Sequence, residues 1–126
     1  MEFVKAHIGK EKYKTTITTS TKEFISDMPE GEGGASLGVK PKELLASALA
    51  SCIAMTVRMY ADRSKWPLEE VFVEVELDTE TTPGTSIFRK KVDFKGDLTE
   101  EQLKRLHVIA MKCPIYKLLQ NPTVME

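Results

Sequence analysis

The sequence predicts an α+β fold, on three observations. Residues 1–28 carry three short β-patterned stretches with no helix between them. Residues 41 to about 64 form one long helical run. Residues 68–94 carry two alternating strands that lead into a second helix. Strands that follow one another directly pair antiparallel, so the expected arrangement is antiparallel sheet wrapped around a buried central helix.

The first strand rests on the alternation of Val4, Ala6 and Ile8 with polar neighbours, ended by the turn-forming Gly9-Lys-Glu-Lys12. Tyr13–Thr21 is rich in β-branched residues, which pack well on a pleated surface. Glu23–Asp27 is a third short candidate. Four glycines and one proline in residues 28–40 then predict a loop, either a plain connector or the mouth of a site. Its glycines do not have the spacing of a phosphate-binding loop.

Pro41 suits the first turn of a helix, where its missing N–H would have had no partner, and Glu43 suits the positive end of the helix dipole. Leu45, Ala48, Leu49, Cys52, Met55, Thr56 and Met59 recur at helical spacing and predict one inward face with a thiol near its middle. Met55, Met59 and Met111 are expected as core filler. Trp66-Pro67 ends the helix, because the residue before a proline is pushed out of helical geometry.

In Leu68–Asp78, Val71, Val73, Val75 and Leu77 share one face. In Ser86–Phe94, Phe88, Val92 and Phe94 do the same, with Arg89, Lys91 and Asp93 outside. Paired as a hairpin, these strands set the pair Glu74 and Glu76 against the pair Arg89 and Lys91. Thr99 and Gln102 have the spacing of a capping box for a second helix, whose inward residues are Leu103, Leu106, Ile109, Ala110 and Cys113. Pro114 starts a third, short helix with Cys113 at its N-cap, and Asn121–Glu126 is expected as a short edge strand.

A chain of 126 residues suits a single domain, 1–126. No apolar run reaches membrane-spanning length and no apolar leader is evident, which predicts a cytoplasmic protein with no membrane partner. A net charge of −1 gives no reason to expect nucleic-acid binding. Two cysteines without a histidine cluster make a poor zinc site, and no metal or organic cofactor is expected.

The chemistry rests on Cys52 and Cys113. Both fall on inward helical stripes, where one reading is two small buried hydrophobes. The other is a redox pair, in which one thiolate is oxidised to a sulfenic acid and the second thiol resolves it to a disulfide. Cys113 has the better local setting, since amide groups at a helix start stabilise a thiolate. Cys52 lies mid-helix and needs a cation brought by tertiary structure. Glu43 is either a helix N-terminal carboxylate or the orienter of such a cation, although positions 43 and 52 point in nearly opposite directions on one helix. His7 and His107 offer no evident partnership with either thiol.

Three stretches also resemble a known family. Gly33-Gly-Ala-Ser-Leu-Gly-Val-Lys-Pro-Lys-Glu-Leu-Leu-Ala-Ser-Ala-Leu-Ala-Ser-Cys-Ile-Ala-Met55 is similar to the central-helix signature of the OsmC/Ohr family. So are Phe94-Lys-Gly-Asp-Leu-Thr-Glu-Glu-Gln-Leu103 with Ala110-Met-Lys-Cys-Pro-Ile-Tyr-Lys117, and the Trp66-Pro67-Leu68 junction. The resemblance implies an OsmC-like α+β fold, with antiparallel sheets around two central helices. It implies an intertwined homodimer whose sites draw on both subunits. It also implies reduction of organic hydroperoxides, with Cys52 attacking the peroxide, Cys113 resolving it and a dithiol restoring the enzyme. The family's peroxidases hold the thiolate with an arginine upstream of the central helix, whereas the first arginine here is Arg58. They also carry a glutamate where this chain has Lys42, with Glu43 one residue later. This looks closer to the OsmC-like branch, with Lys40 or Lys42 as substitute cation. An ammonium lacks the planar fork of arginine.

The expectation is therefore a thiol-dependent peroxidase with Cys52, Cys113 and Glu43 as its site. The alternatives are a non-catalytic dimer that binds a small apolar or acyl ligand, and a redox sensor.

Overall fold

The computed structural model describes residues 1–126. It is α+β, with the strands in two antiparallel sheets. The chain forms two compact units, Met1–Leu45 and Ala46–Glu126.

The N-terminal unit holds a meander of β1 (Lys5–Ile8), β2 (Thr15–Thr18) and β3 (Glu23–Ser26), ordered β1-β2-β3. The three strands expected from alternation and β-branching all form. The 28–40 segment is not a loose connector. Its ends are closed by Ser26 Oγ and the Asp27 amide, which both donate to the Val39 carbonyl, at 2.8 and 3.2 Å. Inside the closure, one Asp27 carboxylate accepts from the amides of Met28, Tyr13, Leu37 and Ala35 at 2.7–3.3 Å. Asp27 is 2% exposed. Burial pushes its carboxyl up, but the four amides outweigh burial and hold it below its ordinary value.

Helix α1 (Pro41–Arg63) starts where proline predicts. Only one of its faces is buried, at Leu49, Ile53, Val57 and Ala61. This corrects the expected inward face. Leu49 lies on it, while Leu45, Met55 and Met59 are 45%, 58% and 52% exposed. The expected core role of the methionines fails with it, and Met111 is exposed as well. α1 is also long and apolar enough, by length and composition alone, to cross a membrane. That corrects the reading that no run reaches such a length.

In the C-terminal unit, β4 (Leu68–Asp78) pairs with β5 (Ile87–Gly96) as the expected antiparallel hairpin, and the register puts Glu74 opposite Lys91 and Glu76 opposite Arg89. Arg89 bridges Glu76 at 2.7 Å and Asp78 at 3.0 Å. Helix α2 (Glu100–Ala110) carries the predicted capping box: the Gln102 amide donates to Thr99 Oγ1, and the Thr99 amide donates to Gln102 Oε1. Leu106, Ala110 and Cys113 join Leu49, Ile53, Val57, Ala61 and Leu68 in the core. Helix α3 (Pro114–Gln120) follows Cys113 directly. Asn121–Glu126 is exposed and forms no strand, contrary to expectation. Pro122 has no amide hydrogen to give a sheet, and no strand edge receives Val124 or Met125.

Candidate thiol site

Cys52 occupies the middle of α1 and Cys113 the junction between α2 and α3, and both belong to the C-terminal unit. The fold brings them together. Cys52 packs against the cluster that contains Cys113, near enough to influence the ionisation of the Cys113 thiol. Both are free. Their surroundings differ. Cys113 is fully buried and its sulfur accepts from the Tyr116 amide at 3.2 Å, as the N-cap of α3. Cys52 is half-buried, and its sulfur lies 4.0 Å from Thr56 Oγ1, one turn on.

Burial pushes the Cys113 thiol up from its ordinary value. The Tyr116 amide pulls it down, and the Cys52 sulfur beside it raises it again. The net shift is upward. The sequence suggested that a helix start would favour a Cys113 thiolate. The amide is in place, but loss of solvent outweighs it.

Two arginines of this unit, Arg58 and Arg105, are engaged with other partners. Arg58 donates to the carbonyls of Leu68 (2.7 Å) and Glu69 (3.3 Å) and to Asp62 (3.0 Å). Arg105 Nε donates to the Tyr60 hydroxyl at 3.0 Å. In the N-terminal unit, Glu43 Oε1 accepts from the Lys40 amide at 3.0 Å, and the Lys40 carbonyl accepts from Leu44. Glu43 thus supplies the carboxylate half of a capping box at the start of α1. His107 lies edge-on to Phe94, with ring centroids 4.8 Å apart.

A cleft of about 180 Å³ lies in the C-terminal unit, lined by Leu49, Phe88, Lys90, Tyr116, Leu119 and Gln120. Neither cysteine lines it, but two of its residues neighbour them along the chain. Leu49 precedes Cys52 by one helical turn, and Tyr116 supplies the amide on Cys113. Lys90 and Tyr116 were not picked out from sequence. The signal for Lys90 was available: it falls in the even-numbered row of β5, between Phe88 and Val92, and a lysine in that phase breaks the apolar pattern.

The OsmC family model, described as OsmC-like protein, matches residues 31–126. The chain belongs to the OsmC-like family. Solved structures carry the same fold. An OsmC-like protein from Mycoplasma pneumoniae is 19% identical, with a TM-score of 0.79 over 96% of this chain and 88% of that one. An organic hydroperoxide resistance protein OsmC from Legionella pneumophila is 24% identical, with a TM-score of 0.68 over 96% and 90%. The organic hydroperoxide resistance protein OhrB of Bacillus subtilis is 23% identical, with a TM-score of 0.65 over 96% and 91%. No curated protein matches the chain.

Proposed function

We propose that this protein is a thiol-dependent peroxidase that reduces organic hydroperoxides in the cytoplasm and so serves in oxidative-stress defence. The observation that carries the reading is the contact between a half-buried thiol, Cys52, and a fully buried one, Cys113. Hydroperoxide-resistance names among proteins of the same fold point the same way.

The two environments divide the work. Cys52 has the solvent-facing side and meets the peroxide. Its thiolate attacks one peroxide oxygen, the O–O bond breaks, and the other oxygen leaves as an alcohol after taking a proton. Cys52 is then a sulfenic acid. Cys113 is buried and held as a thiol, so it is shielded from the peroxide. Its sulfur attacks the Cys52 sulfur, its proton goes to the departing hydroxide as water, and a disulfide forms. A dithiol reductant then exchanges with that disulfide and leaves as its own oxidised form.

The working unit is a homodimer. Leu45, Ala48, Cys52, Met55 and Met59 alternate by three and four residues along α1, the spacing of a helix–helix seam. Its large apolar members, Leu45, Met55 and Met59, are about half exposed. A second copy packed on this stripe brings polar groups near Cys52 that it lacks in its own chain. Glu43, with Lys40 or Lys42, is the candidate for that support. The family match spans the junction between the two units, in keeping with one OsmC-like domain over 1–126.

The test is consumption of cumene hydroperoxide by the reduced protein with dihydrolipoamide or dithiothreitol. Turnover should vanish in Cys52→Ser. Cys113→Ser should stop after one equivalent and leave a dimedone-reactive sulfenic acid. Wild-type consumption no faster than that of Cys52→Ser sinks the reading. The cleft favours a second reading, a non-catalytic binder of a small acyl ligand. A redox sensor is the third, since Cys113 oxidation would alter the cap of α3.

A further inference from the structure

We infer that the cleft between β5, α1 and α3 is a binding site for an anionic amphiphile, a short or medium acyl chain ending in a carboxylate, with Lys90 as its anion anchor. The argument starts from the β4–β5 hairpin. Its inward row reads Val71, Val73, Val75 and Leu77 on one strand, opposite Phe94, Val92, Lys90 and Phe88 on the other. Lys90 is the one charged residue in that row. The other cations of β5 each hold a carboxylate: Arg89 has Glu76 and Asp78, Lys91 has Asp93, and Lys95 has Glu70. Lys90 has none. Its Nζ lies over the Tyr116 ring, 4.9 Å from the centroid.

An aromatic face attracts a cation but leaves its hydrogen-bond donors unused. The cleft Lys90 lines contains no acidic residue. Leu49, Phe88 and Leu119 form an apolar wall, and the Gln120 amide supplies a second donor type beside Lys90. One cation, one amide and an apolar wall match a carboxylate on a hydrocarbon chain. At about 180 Å³, below the ~300 Å³ at which drug-sized pockets begin, the cleft suits a chain rather than a large ring system. The inference concerns binding and does not require that the thiols turn over peroxide.

The probes are octanoate, octanol and octylamine, titrated into the full-length reduced protein by calorimetry, with amide shifts recorded by NMR. Octanoate should bind about tenfold more tightly than octanol, as one charge-assisted pair provides. The shifts should centre on Leu49, Tyr116 and Gln120. Lys90→Met should keep octanol binding and erase the preference for octanoate. Lys90→Arg should retain it, and Lys90→Glu should transfer it to octylamine. Melting curves confirm that each variant is folded. Equal binding of octanoate and octanol to the wild type, an unchanged preference in Lys90→Met, or no binding of any probe overturns the inference.

Discussion

The amide of Tyr116 donates to the sulfur of Cys113 across 3.2 Å, so the buried thiol is also the cap of a helix. Removing the sulfur should therefore unsettle α3 as well as any redox chemistry. Cys113→Ala should cost about 1–2 kcal/mol, from the lost cap and the small void left behind. Cys113→Ser keeps an acceptor for the Tyr116 amide and should cost less. Urea unfolding ranks the two, and equal losses would remove the cap from the explanation.

The ionisation of Cys113 should depend on Cys52. Cys52 is one of the groups that push Cys113 up, so Cys52→Ala should lower the pH at which Cys113 ionises, with burial still holding it above the ordinary value. The pH dependence of Cys113 alkylation measures this. The sign for stability follows. The folded chain keeps the Cys113 proton to higher pH than the unfolded chain does, so this contribution is intact below the ordinary thiol value of 9.0 and falls away as pH rises past it.

Asp27 should make the N-terminal unit sensitive to acid. Its carboxyl titrates below the ordinary 3.8 in the folded chain. The stabilisation it gives is present above that value and is lost as pH falls through the lower, folded one. Asp27→Asn should melt at a lower temperature at neutral pH and lose part of the acid dependence. Hydrogen exchange at the Leu37 and Ala35 amides reports on the site, and unchanged protection would contradict the role given to Asp27.

The exposed stripe of α1 predicts the oligomeric state. The wild type should scatter light as a dimer, and Met55→Glu with Met59→Glu should shift it toward monomer. A folded wild-type monomer would count against the proposed assembly.

The caps and core give ordinary stability tests. Thr99→Ala breaks the capping box of α2 and should cost about 1 kcal/mol. Leu106→Ala opens a void at a fully buried position and should cost about 2–5 kcal/mol. Chemical denaturation separates the two magnitudes.

Much of the fold was legible because local rules agreed with one another. Pro41, the Thr99–Gln102 pair and Pro114 each mark a helix start that forms where expected. The valines of β4 and the charges opposite them set the hairpin register. The buried face of α1 was not legible, for a physical reason. Alanine and methionine make this helix apolar on more than one side, and periodicity cannot rank two apolar faces. Packing chose Leu49, Ile53, Val57 and Ala61. The pairing of Cys52 with Cys113 needed the α1–α2 contact, which no local pattern encodes. Lys90 was visible in the alternation of β5 but is easily passed over where three charged neighbours surround it.

The segment gathered by Asp27 bears on how freely this protein can vary. A methyl group added at Gly34 would collide with the Met28 carbonyl, and one added at Gly38 with the Ile25 carbonyl. Both obstacles are backbone, which cannot rotate aside as a flexible side chain can. A randomised library over residues 27–40 should therefore return glycine at both positions and aspartate at 27. Gly31, with nothing within 4 Å of its added methyl, should drift freely.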